Sequence, residues 1–128
     1  MGIVIGSPLQ QGALATRRDD EVAAARWLSK PRREQFLALS RLLDEIGIPL
    51  PELALRFVVS NKQISCTLSG ARSADEIEWN TAAVSKGPLP RDIMNRLDEI
   101  AARATFRPCE EPFFLPFGRD YLGPGPAR

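Results

Sequence analysis

At 128 residues and 44% apolar side chains, the chain has the size and composition of one modest globular domain. Lysine and arginine (17) nearly balance aspartate and glutamate (16), and the basic pairs Arg17-Arg18 and Arg32-Arg33 each adjoin an acidic residue, which argues against a nucleic-acid-binding stripe. The chain holds no histidine, which excludes imidazole acid–base chemistry and imidazole metal ligation, and its two cysteines, Cys66 and Cys109, form neither a disulfide framework nor a metal motif.

The β-branched run Ile3 to Ile5, bounded by Gly2 and Gly6, predicts a short buried strand. Ser7-Pro8 ends it, and Leu9 to Thr16 reads as a loop with Gly12 as its flexible point. From Asp19 to Leu28, Val22, Ala24, Ala25 and Leu28 recur at helical spacing, with acidic residues in the first turn and Lys30 beyond the last. A second helix begins near Pro31; Phe36, Leu39, Leu43 and Ile46 share one face, Arg32, Arg33, Asp44 and Glu45 lie off it, and Gly47 supplies the C-cap. A third runs from about Pro51 to Val59, and Leu53, Leu55, Phe57 and Val58 make it apolar enough to be packed on more than one side.

Gln63 to Leu68 is read as the second strand. Ser73-Ala74-Asp75-Glu76 is a capping-box sequence, in which Ser73 caps a helix and Glu76 reaches back to the Ser73 N–H. That helix continues through Ile77, Trp79 and Ala83 to about Val84, where Gly87-Pro88 breaks it. Pro90 opens a last amphipathic helix with Ile93, Leu97 and Ile100 inward, ending near Ala104. From Thr105 the composition changes: Phe106, Phe113, Phe114 and Phe117 alternate with Pro108, Pro112 and Pro116, and residues 105–128 read as a Pro/Phe-rich tail with a disordered end.

Strand, helices, strand, helices is the alternation of a parallel α/β fold. Two strands are too few for one, since a parallel sheet needs both faces covered. The order fits a slice of a larger barrel, and a chain that enters a strand almost at Met1 reads as though cut from a longer protein. No apolar run approaches the ~18 residues of a membrane span. The N-terminus lacks a secretory signal, and Gly6 stands where a myristoylation motif needs Ser or Thr. A cytoplasmic location is the expectation.

Two motifs carry a resemblance. Gly6-Ser7-Pro8-Leu9-Gln10-Gln11-Gly12 resembles the Ser-Pro-Leu-x-x-Gly loop that follows the seventh strand of the aldo-keto reductase family. Ser69-Gly70-Ala71-Arg72-Ser73-Ala74-Asp75-Glu76-Ile77-Glu78-Trp79-Asn80 resembles the family's cofactor segment after the eighth strand. The Ala54-to-Asn61 stretch looks like the helix before that strand, and the match covers residues 2 to 103. The resemblance implies a partial (β/α)8 TIM barrel over residues 1–104: the last two βα units with a C-terminal helix. Phosphate sites in barrels of this class form from the loops after strands seven and eight plus a helix N-terminus.

The resemblance further implies an NAD(P)-dependent oxidoreductase of aldehydes and ketones. The backbone around Ser7, Leu9 and Gln11 would line the cofactor pyrophosphate; Gly70, Ala71, Arg72 and Ser73 would hold the adenosine 2′-phosphate region; and Glu76 and Asn80 would face the adenosine. Gly6 departs from the aromatic residue that often stacks on nicotinamide. Gly70 stands where many members have lysine, and Glu76 where they have arginine or glutamine. A glutamate there repels a 2′-phosphate and accepts from a free ribose hydroxyl, whereas Arg72 pulls the other way, so NADP and NAD both stay open. The family's catalytic Asp, Tyr, Lys and His lie on earlier strands without counterpart here, so no catalytic residue is assigned and the chain is expected to be inactive alone.

Each residue also has a structural reading. Arg72 reads equally as a solvated loop residue, Glu76 and Ser73 as members of the capping box, Gly70 as relief for a tight turn, and Cys66 as a small core residue. Asn80, poorly suited to mid-helix, asks for a functional or packing reason. Trp27 and Trp79 read as packing groups and the phenylalanine tail as a lid or edge cover. The alternative function is a non-catalytic nucleotide-binding or assembly module, self-associating or pairing with a complementary chain through open barrel edges.

Overall fold

The computed structural model describes residues 1–25 and 28–104. The expectations for Trp27, the Phe/Pro tail and Cys109 fall outside these residues. The described elements are β1 (Ile3–Gly6), a single 3₁₀ turn (Gln10–Gly12), α1 (Asp19–Ala24), α2 (Lys30–Ile46), α3 (Leu50–Val59), β2 (Ile64–Leu68), α4 (Ala74–Ser85) and α5 (Arg91–Ala101). The fold is mixed α/β, as the alternation predicts. Two compact units divide it, one formed by Met1–Arg17 and Leu43–Asn95, the other by the described residues of Arg18–Leu42 and of the stretch from 96 to 104.

In the first unit β1 pairs with β2 in parallel, with Gly6 opposite Leu68, Ile5 opposite Thr67 and Val4 opposite Cys66. The register slips between Ile3 and Val4, leaving Ser65 as the extra residue; its hydroxyl accepts the Ile3 N–H at 3.2 Å. Helix α3 packs on both β2 and α4. Four consecutive residues of α3, Glu52 to Leu55, are buried, as an apolar helix packed on more than one side requires. Pro8, Leu43, Ala83, Leu89 and Ile93 are also buried in this unit.

The strands are less buried than their composition predicts. Ile3 and Val4 are 43% and 59% exposed, so β1 is not a buried strand, and Cys66 is exposed rather than a core residue. The physical reason is the sheet itself. A parallel strand is buried by neighbours on both edges and helices on both faces, and among the described residues this sheet has two strands. Trp79 likewise is 41% exposed and does not act as a packing anchor.

In the second unit α2 buries Ala38 and Leu42, one turn apart, beside the predicted stripe; Phe36 and Leu39 are half-buried. Leu28 and Ala104 are also buried here. The Arg33 guanidinium donates to the carbonyls of Ala25 (2.5 Å) and Leu28 (3.3 Å), tying the α1–α2 connection to α2. Gln35 donates to the carbonyls of Ile100 (3.2 Å) and Ala101 (3.1 Å), satisfying orphan acceptors at the end of α5. Gly47 ends α2 as predicted, at φ 66°, with its N–H on the Leu43 carbonyl.

The strongest polar constraint in the first unit centres on Glu52. Its carboxylate, with 6% side-chain exposure, accepts from Lys86 Nζ at 2.7 Å and from Arg56 at 3.1 Å. Arg56 also donates to the carbonyls of Gly87 (3.0 Å) and Pro88 (3.2 Å), so α3 grips the chain just past the end of α4. Burial pushes the Glu52 carboxyl up, but the hydrogen bonds and charges of Lys86 and Arg56 outweigh it and hold the group below its ordinary value. A depressed carboxyl stabilises the fold above its unfolded-state value, and that contribution is lost as pH falls through the folded-state value. Glu52→Gln is therefore expected to cost about 3 kcal/mol at pH 7. Urea unfolding of both proteins at pH 7 and pH 3 checks this: the gap should shrink in acid, and an unchanged gap would contradict the pairing.

Candidate functional site

Parallel pairing brings two loops to one edge of the sheet. Because Gly6 stands opposite Leu68, both strands end together and the next residues, Ser7 and Ser69, leave from the same edge of the sheet. Neighbouring strands lie ~4.8 Å apart, so the β1 and β2 loops start side by side at the carboxyl ends of their strands.

The first loop is strained. Ser7 (φ 53°) and Gln10 (φ 49°) both adopt the left-handed region, and each costs about 1–2 kcal/mol for a non-glycine residue. The Ser7 carbonyl accepts the Gln10 N–H at 2.8 Å, and the Leu9 carbonyl accepts those of Gly12 (3.0 Å) and Leu14 (3.1 Å). Pro8 is buried and Leu9 half-buried beneath this turn, with Gln11 in its 3₁₀ segment. Two left-handed non-glycine residues in one short loop mark a backbone held in place by its surroundings.

The second loop runs from Ser69 into α4. Ser73 is the N-cap, and its hydroxyl accepts the Glu76 N–H at 3.2 Å. The other half of the expected capping box is displaced by one residue: the Glu76 carboxylate accepts the Arg72 N–H at 2.7 Å instead of the Ser73 N–H. Its second oxygen meets the Arg72 guanidinium at 3.3 Å, while Arg72 itself is 92% exposed. The Arg72 N–H, ahead of burial acting in the opposite sense, and then the Arg72 side chain hold the Glu76 carboxyl below its usual value. Arg72 is thus a solvated residue with an ion-pair partner four residues on.

Asn80 donates from its side-chain amide to the Ser69 hydroxyl at 3.4 Å, bridging α4 to the start of the loop. That is the packing reason its mid-helix position asks for. Gly70 does not relieve a tight turn: its φ is outside the left-handed region and a Cβ there would meet nothing within 4 Å. Nothing in the structure explains a glycine at this position.

Beside the loop, α3, β2 and α4 enclose a groove of about 530 Å³. Leu55 and Val59 line it from α3, Thr67 from β2, and Ile77 and Asn80 from α4, with Ala71 at its loop end. Sequence patterning missed this groove, because it exists only where Ile77 and Val84 of α4 stay 57% and 39% exposed. The structure therefore brings Ala71 and Asn80 to one groove and Arg72, Ser73 and Glu76 to one helix end, while Ser7, Leu9 and Gln11 occupy the neighbouring loop. The first N–H groups of α4, directed out of the helix, present partial positive charge at that edge. Among the described residues no group of three His, Cys, Asp or Glu side chains could hold a metal, and no helix is long and apolar enough to cross a membrane.

Comparison with known proteins gives the family. Residues 1–102 match the model of the Aldo/keto reductase family. A putative voltage-gated potassium channel subunit beta of Schizosaccharomyces pombe is 27% identical over 125 residues, covering 85% of this chain and 36% of that protein. A probable voltage-gated potassium channel subunit beta of Arabidopsis thaliana is 25% identical over 123 residues, covering 84% of this chain and 38% of that protein. The chain thus spans a little over a third of the length of these relatives. With a family match over most of its length and both loop motifs at one sheet edge, the chain belongs to the aldo/keto reductase family.

Proposed function

We propose that the two loops at the carboxyl edge of the sheet bind the adenosine and pyrophosphate portions of a nicotinamide dinucleotide. The single observation that carries this reading is the Gly6–Leu68 register, which starts both loops side by side next to the N-terminus of α4. Adjacent loop backbone and a helix N-terminus suit an anionic phosphate, and the groove beside Ala71 and Asn80 suits an adenosine. Backbone groups around Ser7, Leu9 and Gln11 would face the pyrophosphate, and residues 70–73, Glu76 and Asn80 the adenosine end. When bound, the dinucleotide would supply hydride chemistry toward a carbonyl, the activity of the family.

Reduction also needs a proton donor at the carbonyl oxygen. The chain contributes no histidine, and its one tyrosine lies in the tail. We read it as the last βα units of a (β/α)8 barrel that binds cofactor without completing the reaction by itself. Calorimetric titration with an adenine dinucleotide should show saturable binding that Asn80→Ala weakens about tenfold, or ~1.4 kcal/mol. Absence of saturable binding would overturn the reading, and NADPH-dependent turnover of any aldehyde or ketone would overturn the inactivity.

A second reading is assembly. Val4, Leu68, Ile77, Trp79 and Val84 are exposed apolar groups within the first unit, and such groups suit a partner surface. The relatives' names describe channel subunits, which makes association with another polypeptide the form this reading takes. Light scattering should then show mass rising with protein concentration; a constant monomer mass would count against self-association.

A further inference from the structure

Among the described residues the sheet has two strands, so β2 pairs with β1 along one side and its other edge meets no strand. Ile64, Ser65, Cys66 and Thr67 all line the groove between α3, β2 and α4. Consecutive strand side chains point to opposite faces, so a groove that meets all four runs along the edge of the strand. Ile77 and Val84 of α4 flank it at 57% and 39% exposure, and Leu68 at the end of β2 is 60% exposed. Edges that stay single in solution are blunted by lysine, other charges or proline. Residues 63–71 contain none of these.

Resting on the assembly reading above, we propose that the β2 edge pairs antiparallel with the β2 edge of a second copy, joining two sheets into one of four strands. The strand's own pattern selects this occupant. A two-fold axis that sets a strand antiparallel to its copy stands perpendicular to the sheet and keeps every side chain on its face. Directly opposed residues share a face, so their numbers differ by an even count. Full overlap of Ile64–Leu68 therefore puts Cys66 opposite its counterpart. The other pairs then match in kind: Ile64 meets Leu68, apolar with apolar, and Ser65 meets Thr67, hydroxyl with hydroxyl. Gln63 meets Ser69, and no charge opposes a like charge across the stretch. Two five-residue strands alone cover less than the ~800 Å² per partner of a standard interface. Leu68, Ile77 and Val84 beside the edge add apolar contact, and the dimer depends on concentration.

The test is light scattering of the full chain together with cross-linking by a short bis-maleimide. Opposed residues hold their Cβ atoms ~4.5–5.5 Å apart, so one linker reaches both Cys66 thiols. Mass should rise toward twice that of the monomer with concentration. The cross-linked dimer should form in wild type and in Cys109→Ser but not in Cys66→Ser. Cys66→Lys, at an exposed position, sets two ammonium groups opposite each other and should weaken the dimer about fivefold, with circular dichroism confirming retained helix. Association that survives Cys66→Lys undiminished, or that yields no cross-link through Cys66, overturns the β2 pairing while leaving assembly in place. A constant monomer mass overturns self-association altogether and leaves the edge to a different polypeptide.

Discussion

The parallel register of β1 on β2 is the constraint on which the proposed site depends. Had the strands paired antiparallel, the loops after Gly6 and Leu68 would leave opposite ends of the sheet and could not serve one ligand. Pairing in the same direction places Gly6 opposite Leu68, so two loops far apart in sequence start as neighbours. The slip at Ser65 keeps this alignment, because its hydroxyl takes the Ile3 N–H that the irregular ladder would otherwise leave unpaired.

Helix α4 must then be held with its N-terminus at that edge. Its far end is fixed by the Glu52 carboxylate, which draws in Lys86, and by Arg56, which reaches the Gly87 and Pro88 carbonyls. Its near end is fixed by the Ser73 cap, the Glu76–Arg72 clamp and the Asn80–Ser69 bond. Buried ionic groups contribute less net stability than their Coulomb attraction suggests, because burial costs each ion its hydration. Their geometric effect is different: a helix pinned at both ends presents its free N–H groups in one direction. Preorganisation of that kind lowers the cost of ordering a ligand site.

Much of this was legible from residue order. The helix α2 with Gly47 behind it, the apolar α3 and the Ser73 cap all follow from local patterns, and local rules decide helix ends, whereas the buried face of α2 lies beside the expected stripe. What the sequence concealed depends on partners far along the chain. Glu52 and Arg56 are visible as an i,i+4 pair, but Lys86, 34 residues on, is not. β-branched residues suggest burial of β1 and β2, yet burial depends on neighbouring strands, and the two-stranded sheet leaves Val4 and Cys66 exposed. Glu76 has the spacing of a capping box, but the loop turns so that Arg72, not Ser73, offers its N–H. That one-residue difference converts a generic helix start into a carboxylate presented beside the loop.

The central claim is that the loops after β1 and β2 form one nucleotide site. Backbone amide NMR shift mapping during titration with NAD⁺ tests it most directly, since each loop reports separately. One shared site gives perturbations concentrated in residues 7–12 and 69–80, saturating together with a single affinity. Perturbations confined to other segments, or two loops that respond with different affinities, would contradict it.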